Sequence, residues 1–437
     1  MIQTAKTPLP ENQPALESQY DVIVIGAGPA GAAAAAFVAM QNRSVLLLER
    51  ETVPRFHVGE SLLPCCYDHL DRMGVLEQMK QSAFPKKYSV QFVTEKGKIT
   101  APFYFDQYKP GEASQTWQVE RSVFDKMLVD RAVELGTTLR VGAHVMDVLL
   151  DGEKASGVKV RLSNADGSSE IKEIASKVVI DASGQSTVIA NRLGVKMKDD
   201  RLQKATIWTY YKDVYRDSGP RDEGATLIMQ TEGKKSWFWF IPIDEEITSI
   251  GCTGSLNYMF RSGRGSAEDV FADELTRCPE MTRRLENAEL VSKFHSTKDF
   301  SYRTGKTVGE GWVTIGDAFG FIDPVYSSGV LLALASGEFA AEAIAEAFEK
   351  NDFSEQILGQ WQPSYEKGLD NFKRLVYAFY APDFSFGQFF RKHPMYREHM
   401  TDILMGDVFR PEVAEIFDAM GEVIPPTDIE QEEMAMS

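Results

Sequence analysis

Apolar residues occur in three kinds of run along the chain. Tyr20 to Ile25 (YDVIVI) and Ser44 to Leu48 (SVLLL) are short unbroken apolar segments, as strands buried on both faces require. Between them Gly31 to Met40 is rich in alanine and reads as a helix, so the chain opens with a βαβ unit and a parallel sheet. A helix at Ser122 to Leu135 precedes apolar strands at Thr138 to Val145 and Lys177 to Ile180. Segments 86–119 and 203–256 are dense in aromatic residues, and their alternation predicts antiparallel sheet with one solvated face. From Gly311 the pattern returns to a strand (GWVTIG), then to a long helical stretch at Gly329 to Lys350 and more helix to about residue 420.

These elements predict an α/β chain in which one discontinuous domain (20–85, 120–202 and 295–350) is interrupted by a mostly antiparallel β-sheet domain (86–119 and 203–294). A helical C-terminal region covers 351–420, and the segments 1–19 and 421–437 read as flexible from their proline and polar content. The 437 residues allow two to three domains at roughly 150 residues each. Forty-seven basic against 64 acidic side chains give a net charge of −17, which disfavours nucleic acid and anionic membrane as partners. Cys65, Cys66, Cys252 and Cys278 lack zinc-site spacing and the six histidines lack H-x-x-x-H, so no metal is predicted and free thiols are expected. No apolar run reaches the roughly 18 residues of a membrane span, and the first twenty residues contain no apolar core of a signal peptide, so a cytoplasmic location is expected.

Gly26-Ala27-Gly28-Pro29-Ala30-Gly31 is G-x-G-x-x-G placed between a strand and a helix. The first glycine permits a tight turn, the second a close approach to a pyrophosphate, and the third close helix packing, while the helix N-terminus attracts negative charge. Glu49 ends the second strand 23 residues after Gly26, where a carboxylate can accept hydrogen bonds from a ribose. Three later segments resemble motifs of the glutathione-reductase-like and hydroxybenzoate-hydroxylase-like flavoproteins. They are Gln118-Val119-Glu120-Arg121, Asp181-Ala182-Ser183-Gly184 and Gly316-Asp317. The resemblance implies FAD, with Arg121 near the flavin phosphates and Asp317 on the ribityl chain; taken alone, Asp317 reads more readily as a helix cap than as a flavin ligand.

Trp237-Phe238-Trp239-Phe240-Ile241-Pro242 places two tryptophans on one face of a strand, a pattern that core packing alone would explain. It coexists with Gly59-Glu60-Ser61 and with the run from Gly316 to Val330, which contains Pro324-Val325-Tyr326-Ser327-Ser328-Gly329. Together these resemble the flavin-dependent halogenases, whose mark is W-x-W-x-I-P, over residues 20 to about 415. The resemblance implies reduced FAD from a separate flavin reductase, a flavin C4a-hydroperoxide that oxidises chloride or bromide to hypohalous acid, and an aromatic substrate in a second chamber. It also implies that Trp237 and Trp239 bar the substrate from the flavin and that Ser328 and Gly329 hold halide. Amide donors at a helix N-terminus suit that last task, because an anion in low dielectric needs partners.

A lysine suits the capture of hypohalous acid, since partial burial brings its two protonation states within reach of neutral pH. The family's lysine lies in F-x-x-K-x-G, and Phe84-Pro85-Lys86-Lys87-Tyr88-Ser89 aligns it with Lys87, although Ser89 replaces the glycine and Lys86 is adjacent. Tyr326 stands where tryptophan halogenases carry a glutamate, so the resemblance points to phenolic or pyrrolic rings, free or tethered to a carrier protein. The aromatic group Tyr377, Phe379, Tyr380, Phe384, Phe386, Phe389 and Phe390 around Ala381-Pro382-Asp383 reads as core or as the lining of that chamber. Other readings of the same motifs are an FAD-dependent aromatic hydroxylase, a reductase like the geranylgeranyl reductases, and a flavin-binding module without turnover. A hydroxylase has no need of the tryptophan motif or the lysine.

Overall fold

The computed structural model describes residues 7–298, 300–381 and 384–421. The proposed tail beyond Gly421, residues 1–6, and Pro382 and Asp383 of the aromatic group lie outside the described residues. The fold is α/β, built on two large sheets. In the first, the strands Trp312–Thr314, Ser169–Asp181, Gln19–Ile25, Val45–Glu49 and Thr138–Val141 lie side by side, all parallel. Val22, Ile23, Val24, Leu46 and Leu47 are fully buried there, as their unbroken apolar runs require. The hairpin Ala143–Asp151 and Lys154–Ser163 extends Ser169–Asp181 antiparallel, so the expected strand at 138–145 is two strands divided at Gly142.

The alanines of helix Pro29–Ala39 are small because two helices pack closely on it, Gly329–Lys350 and Arg121–Glu134. A Cβ on Gly337 would stand 2.8 Å from the Ala30 carbonyl oxygen, so glycine sets that approach. Residues 7–18 of the lead-in lie along this unit. The Thr7 carbonyl accepts a hydrogen bond from the Thr52 hydroxyl, the Gln13 side chain accepts one from the Val141 amide, and Leu16 packs on the sheet.

The second sheet has the order Glu289–Leu290, Lys204–Lys212, Ile247–Ser255, Ser236–Pro242, Thr226–Gln230, Ser89–Val93, Phe103–Tyr104. It is antiparallel except where Thr226–Gln230 runs parallel to Ser89–Val93. Both of its faces are covered, which corrects the expectation of one solvated face: every residue of Ser236–Pro242 is buried. Trp237, Trp239 and Ile241 face the main core, while Phe238 and Phe240 face a second core containing Val270 and Phe271 of helix Ala267–Thr276. Phe238 and Phe271 meet edge to face at 5.3 Å. That helix, not anticipated within 203–294, starts at a capping box in which Ser266 and Asp269 satisfy each other's amides. Among the described residues no helix is long and apolar enough to cross a membrane.

Ser266→Ala should remove this cap and cost about 1 kcal/mol of stability, read by chemical denaturation.

Candidate active site

The carboxyl ends of the parallel strands carry the glycine motif, Glu49, Asp181 and the Gly316–Ala318 turn, the edge where open α/β sheets bind ligands. Gly26 has φ +99°, and a Cβ there would lie 2.5 Å from the Ala182 oxygen. A Cβ on Gly31 would lie 1.9 Å from the Gly26 oxygen. Both glycines are therefore fixed by the fold. Gly28, the N-cap of the first helix, has an ordinary φ of −76°, and its Cβ would meet nothing nearer than the Arg55 guanidinium at 3.5 Å. Open space in front of Gly28 is what a close-approaching pyrophosphate needs.

Glu49 is buried, and its two oxygens accept hydrogen bonds from the amides of Ala27 and Glu51 at 2.9 Å. Asp181 is used by the turn that follows it, accepting from the amides of Ser183 and Ile189. Asp317 is half-buried; burial pushes its carboxyl up to about 6 against the pull of Arg121 and Lys196. Arg121 opens helix Arg121–Glu134 and is buried, held by both oxygens of Asp125 at 2.7 and 3.0 Å and by the carbonyls of Val58 and Gly59. It lines a cavity with Phe56, His57, Glu60, Tyr210 and Ile243. Glu60 accepts the Tyr210 hydroxyl at 2.6 Å on one oxygen, while its other oxygen is buried without a protein partner. Burial raises this carboxyl to about 7.

A second cavity is lined by Leu63, Lys87, Phe92, Phe105, Ile228 and Leu404, together with Val325, Tyr326 and Ser327. The structure separates the two candidate lysines. Lys86 is exposed, and Lys87, on the opposite side of the same two-residue strand, is 2% exposed. Lys87 Nζ donates to the Ser61 hydroxyl and to the Leu62 carbonyl, both at 2.9 Å, and lies 5.6 Å from the Phe105 ring centre. Burial among these apolar walls lowers the amine from its ordinary 10.5 to about 7. Ser61 is held in turn by Thr226, to which the Gln118 amide also donates.

Trp237 and Trp239 stand side by side with ring centres 6.2 Å apart. The Trp239 ring lies over Gly251, where a Cβ would be 2.1 Å from the indole, and its N–H donates to Ser249. Trp237 donates to Tyr380, whose hydroxyl reaches Asp323. Ser328 is buried as the N-cap of helix Gly329–Lys350, Gly329 is exposed, and Ser327 before them has φ +59°. The glycine motif, Glu49, Arg121 and Asp317 thus gather at the sheet edge, while Lys87 shares a cavity with the residues immediately before Ser328 and Gly329. The tryptophans line neither cavity; Ile228, on the wall of the second, pairs with Trp239 across neighbouring strands.

Of the C-terminal aromatic group, Phe379 packs edge-on against Trp237 and near Tyr326, whereas Phe384, Phe386, Phe389 and Phe390 pack on one another. The second cavity draws its aromatic walls from Tyr326, which the sequence singled out, and from Phe92 and Phe105, which it did not. Glu60, Ser61, Tyr210 and Asp323 were also missed. The first two stood inside a quoted motif and the last inside another, so an ionisable or hydroxyl residue within a motif was the available signal. Among the described residues no group of three or more His, Cys, Asp or Glu is arranged to hold a metal ion.

A family model for an FAD binding domain matches residues 19–334. A pyrrole-2-carbonyl peptidyl-carrier-protein chlorinase of Pseudomonas fluorescens is 30% identical over 438 residues, with 96% of each chain covered. A corresponding brominase of Pseudoalteromonas luteoviolacea is 33% identical over 336 residues, covering 76% of this chain and 79% of its own. The chain belongs to the flavin-dependent halogenases. Among solved structures, a flavin-dependent brominase superposes with a TM-score of 0.81 at 31% identity, covering 92% of this chain and 98% of its own. The myxobacterial chondrochloren halogenase gives 0.76 at 29% identity, covering 94% and 99%. As a halogenase the chain is an oxidoreductase that uses FAD and a halide. Its own residues fit FAD: the open space in front of Gly28 at the helix N-terminus leaves room for a pyrophosphate.

Gly28→Ala should lower the melting temperature of the FAD-free protein only slightly, by the loss of a favourable N-cap residue, yet weaken FAD binding by about tenfold or more, ~1.4 kcal/mol per tenfold, in a fluorescence titration. Gly31→Ala should lower both, because its Cβ meets backbone.

Proposed function

We propose that this halogenase installs chlorine or bromine on an electron-rich aromatic ring, with Lys87 relaying the oxidised halogen. The observation that carries the reading is the buried Lys87 amine in an apolar cavity, beside the turn that leads to Ser328 and Gly329. FAD, when bound in the reduced form delivered by a separate flavin reductase, would give oxygen two electrons, and the halide would give the other two, yielding hypohalous acid and water. Gly26, Gly28 and Gly31 bring the first helix N-terminus to the diphosphate, Glu49 takes the ribose, Arg121 the phosphates and Asp317 the ribityl chain. The amides at Ser328 and Gly329 hold the halide, and the paired indoles of Trp237 and Trp239 keep the aromatic ring away from the cofactor. As the ammonium, Lys87 has a third N–H beyond the two given to Ser61 and Leu62, and donating it to the oxygen of hypohalous acid polarises the bond to halogen.

Two relatives named for a pyrrole on a carrier protein favour a pyrrolic ring held as a carrier thioester, with phenols as the next class. The test supplies reduced FAD, from a reductase or by chemical reduction, with oxygen, chloride or bromide, and a panel of carrier-bound pyrroles and free phenols. Halogen isotope patterns in the products are the expected outcome. Hydroxylated product without halogenation would favour the aromatic hydroxylase instead.

Lys87→Met should cut halogenation by about 10²-fold or more, as loss of a positioned proton donor does. The same variant should keep or raise the melting temperature. Folding lowers this amine's pKa from 10.5 to about 7, so wild-type stability gains with rising pH between those values and carries the full burial penalty below about 7. The difference in stability between Lys87→Met and wild type should accordingly be largest at and below pH 7 and shrink as pH rises towards 10.

A further inference from the structure

The tryptophan strand and the turn before Ser328 belong to different parts of the chain, yet one buried hydrogen-bond chain joins them. Trp237 Nε1 donates to the Tyr380 hydroxyl at 2.8 Å, and that hydroxyl donates to Asp323 Oδ2 at 2.9 Å. The other Asp323 oxygen accepts from the Val325 amide at 3.1 Å and so caps the Pro324–Tyr326 turn. The polarity of the chain is fixed. An indole nitrogen can only donate, so Tyr380 accepts there, and its own hydrogen is left for the carboxylate.

Asp323 is 1% exposed, and burial pushes its carboxyl up to about 6; Lys204, whose ammonium lies 3.4 Å from the Tyr380 ring centre, works against that rise. Phe379 packs on both Trp237 and Tyr326, reinforcing the link from the apolar side. Tyr380 is the last residue of helix Gln362–Tyr380, so three segments meet at its hydroxyl.

We propose that Tyr380 and Asp323 are positioning residues that tie the Trp237 indole to the halide-binding turn, so that halide affinity depends on a hydrogen bond made by the tryptophan motif. Without the Tyr380 hydroxyl, Asp323 loses a donor and the turn loses its anchor; the Ser328 and Gly329 amides are then no longer held in one orientation. The inference rests on the assignment of halide to that pair.

The experiment measures bromide binding without turnover, by bromide-dependent quenching of the fluorescence of bound oxidised FAD, in wild type, Tyr380→Phe, Asp323→Asn and the double variant. The expected result is a bromide Kd raised on the order of tenfold in each single variant, no further rise in the double variant, and FAD Kd unchanged. In turnover the same variants should raise the KM for bromide more than they lower kcat, a split that general destabilisation does not produce. Asp323→Asn keeps the capping geometry and serves if Tyr380→Phe folds poorly. A bromide Kd unchanged in the variants, or effects that add in the double variant, overturns the proposal while leaving the halogenase reading intact. Wild-type protein that neither binds bromide nor halogenates overturns the underlying assignment instead.

Discussion

Side chains of an extended segment alternate in direction, and at Glu60 and Ser61 this alternation divides the interior of the protein. The segment is pinned by hydrogen bonds from the Val119 amide to the Glu60 carbonyl and from the Leu62 amide to the Trp117 carbonyl. Glu60 then faces the cavity of Arg121 and Tyr210, while Ser61 faces Lys87. One peptide unit thus sends a carboxyl into the first cavity and a hydroxyl to the Lys87 amine, which lines the second. The two cavities need no separate scaffolds, since a single pairing orients both.

Low dielectric rather than ion pairing sets the chemistry behind these walls. Burial is the leading cause of displacement for Lys87, Glu60 and Asp323, and it brings all three towards neutrality, to about 7, 7 and 6. Each can then exchange a proton at modest cost, unlike the same groups at the surface. With a net charge of −17 on the chain, anions inside must rely on local amide and amine donors.

What the sequence disclosed and what it concealed divide by distance along the chain. The glycine motif was legible because its three positions act within one turn, and Glu49 because it closes the next strand. Helix Gly329–Lys350 was likewise read to the residue from its alanine run. Lys87 was preferred over Lys86 only by its alignment with the family's lysine; the pattern around them could not show which points inward, because that is decided by pairing with Thr116 and Trp117, some 30 positions away. The pairing of Glu60 with Tyr210, and of Trp237 with Tyr380, spans still longer separations. The sheet was read as solvated on one side because its covering helices follow it in sequence, although W-F-W-F-I-P, apolar at every position, already required two dry faces.

The strand that carries Lys87 is only two residues long, and its register is held from outside. Thr116 and Trp117 pair with it on one edge, and on the other Gly224 approaches so closely that a Cβ would lie 2.2 Å from the Lys86 oxygen. Parity along this strand therefore decides which amine the interior receives. Since both contacts lie outside the loop that precedes the strand, a change in that loop's length can be absorbed there without moving Lys87 from its inward position.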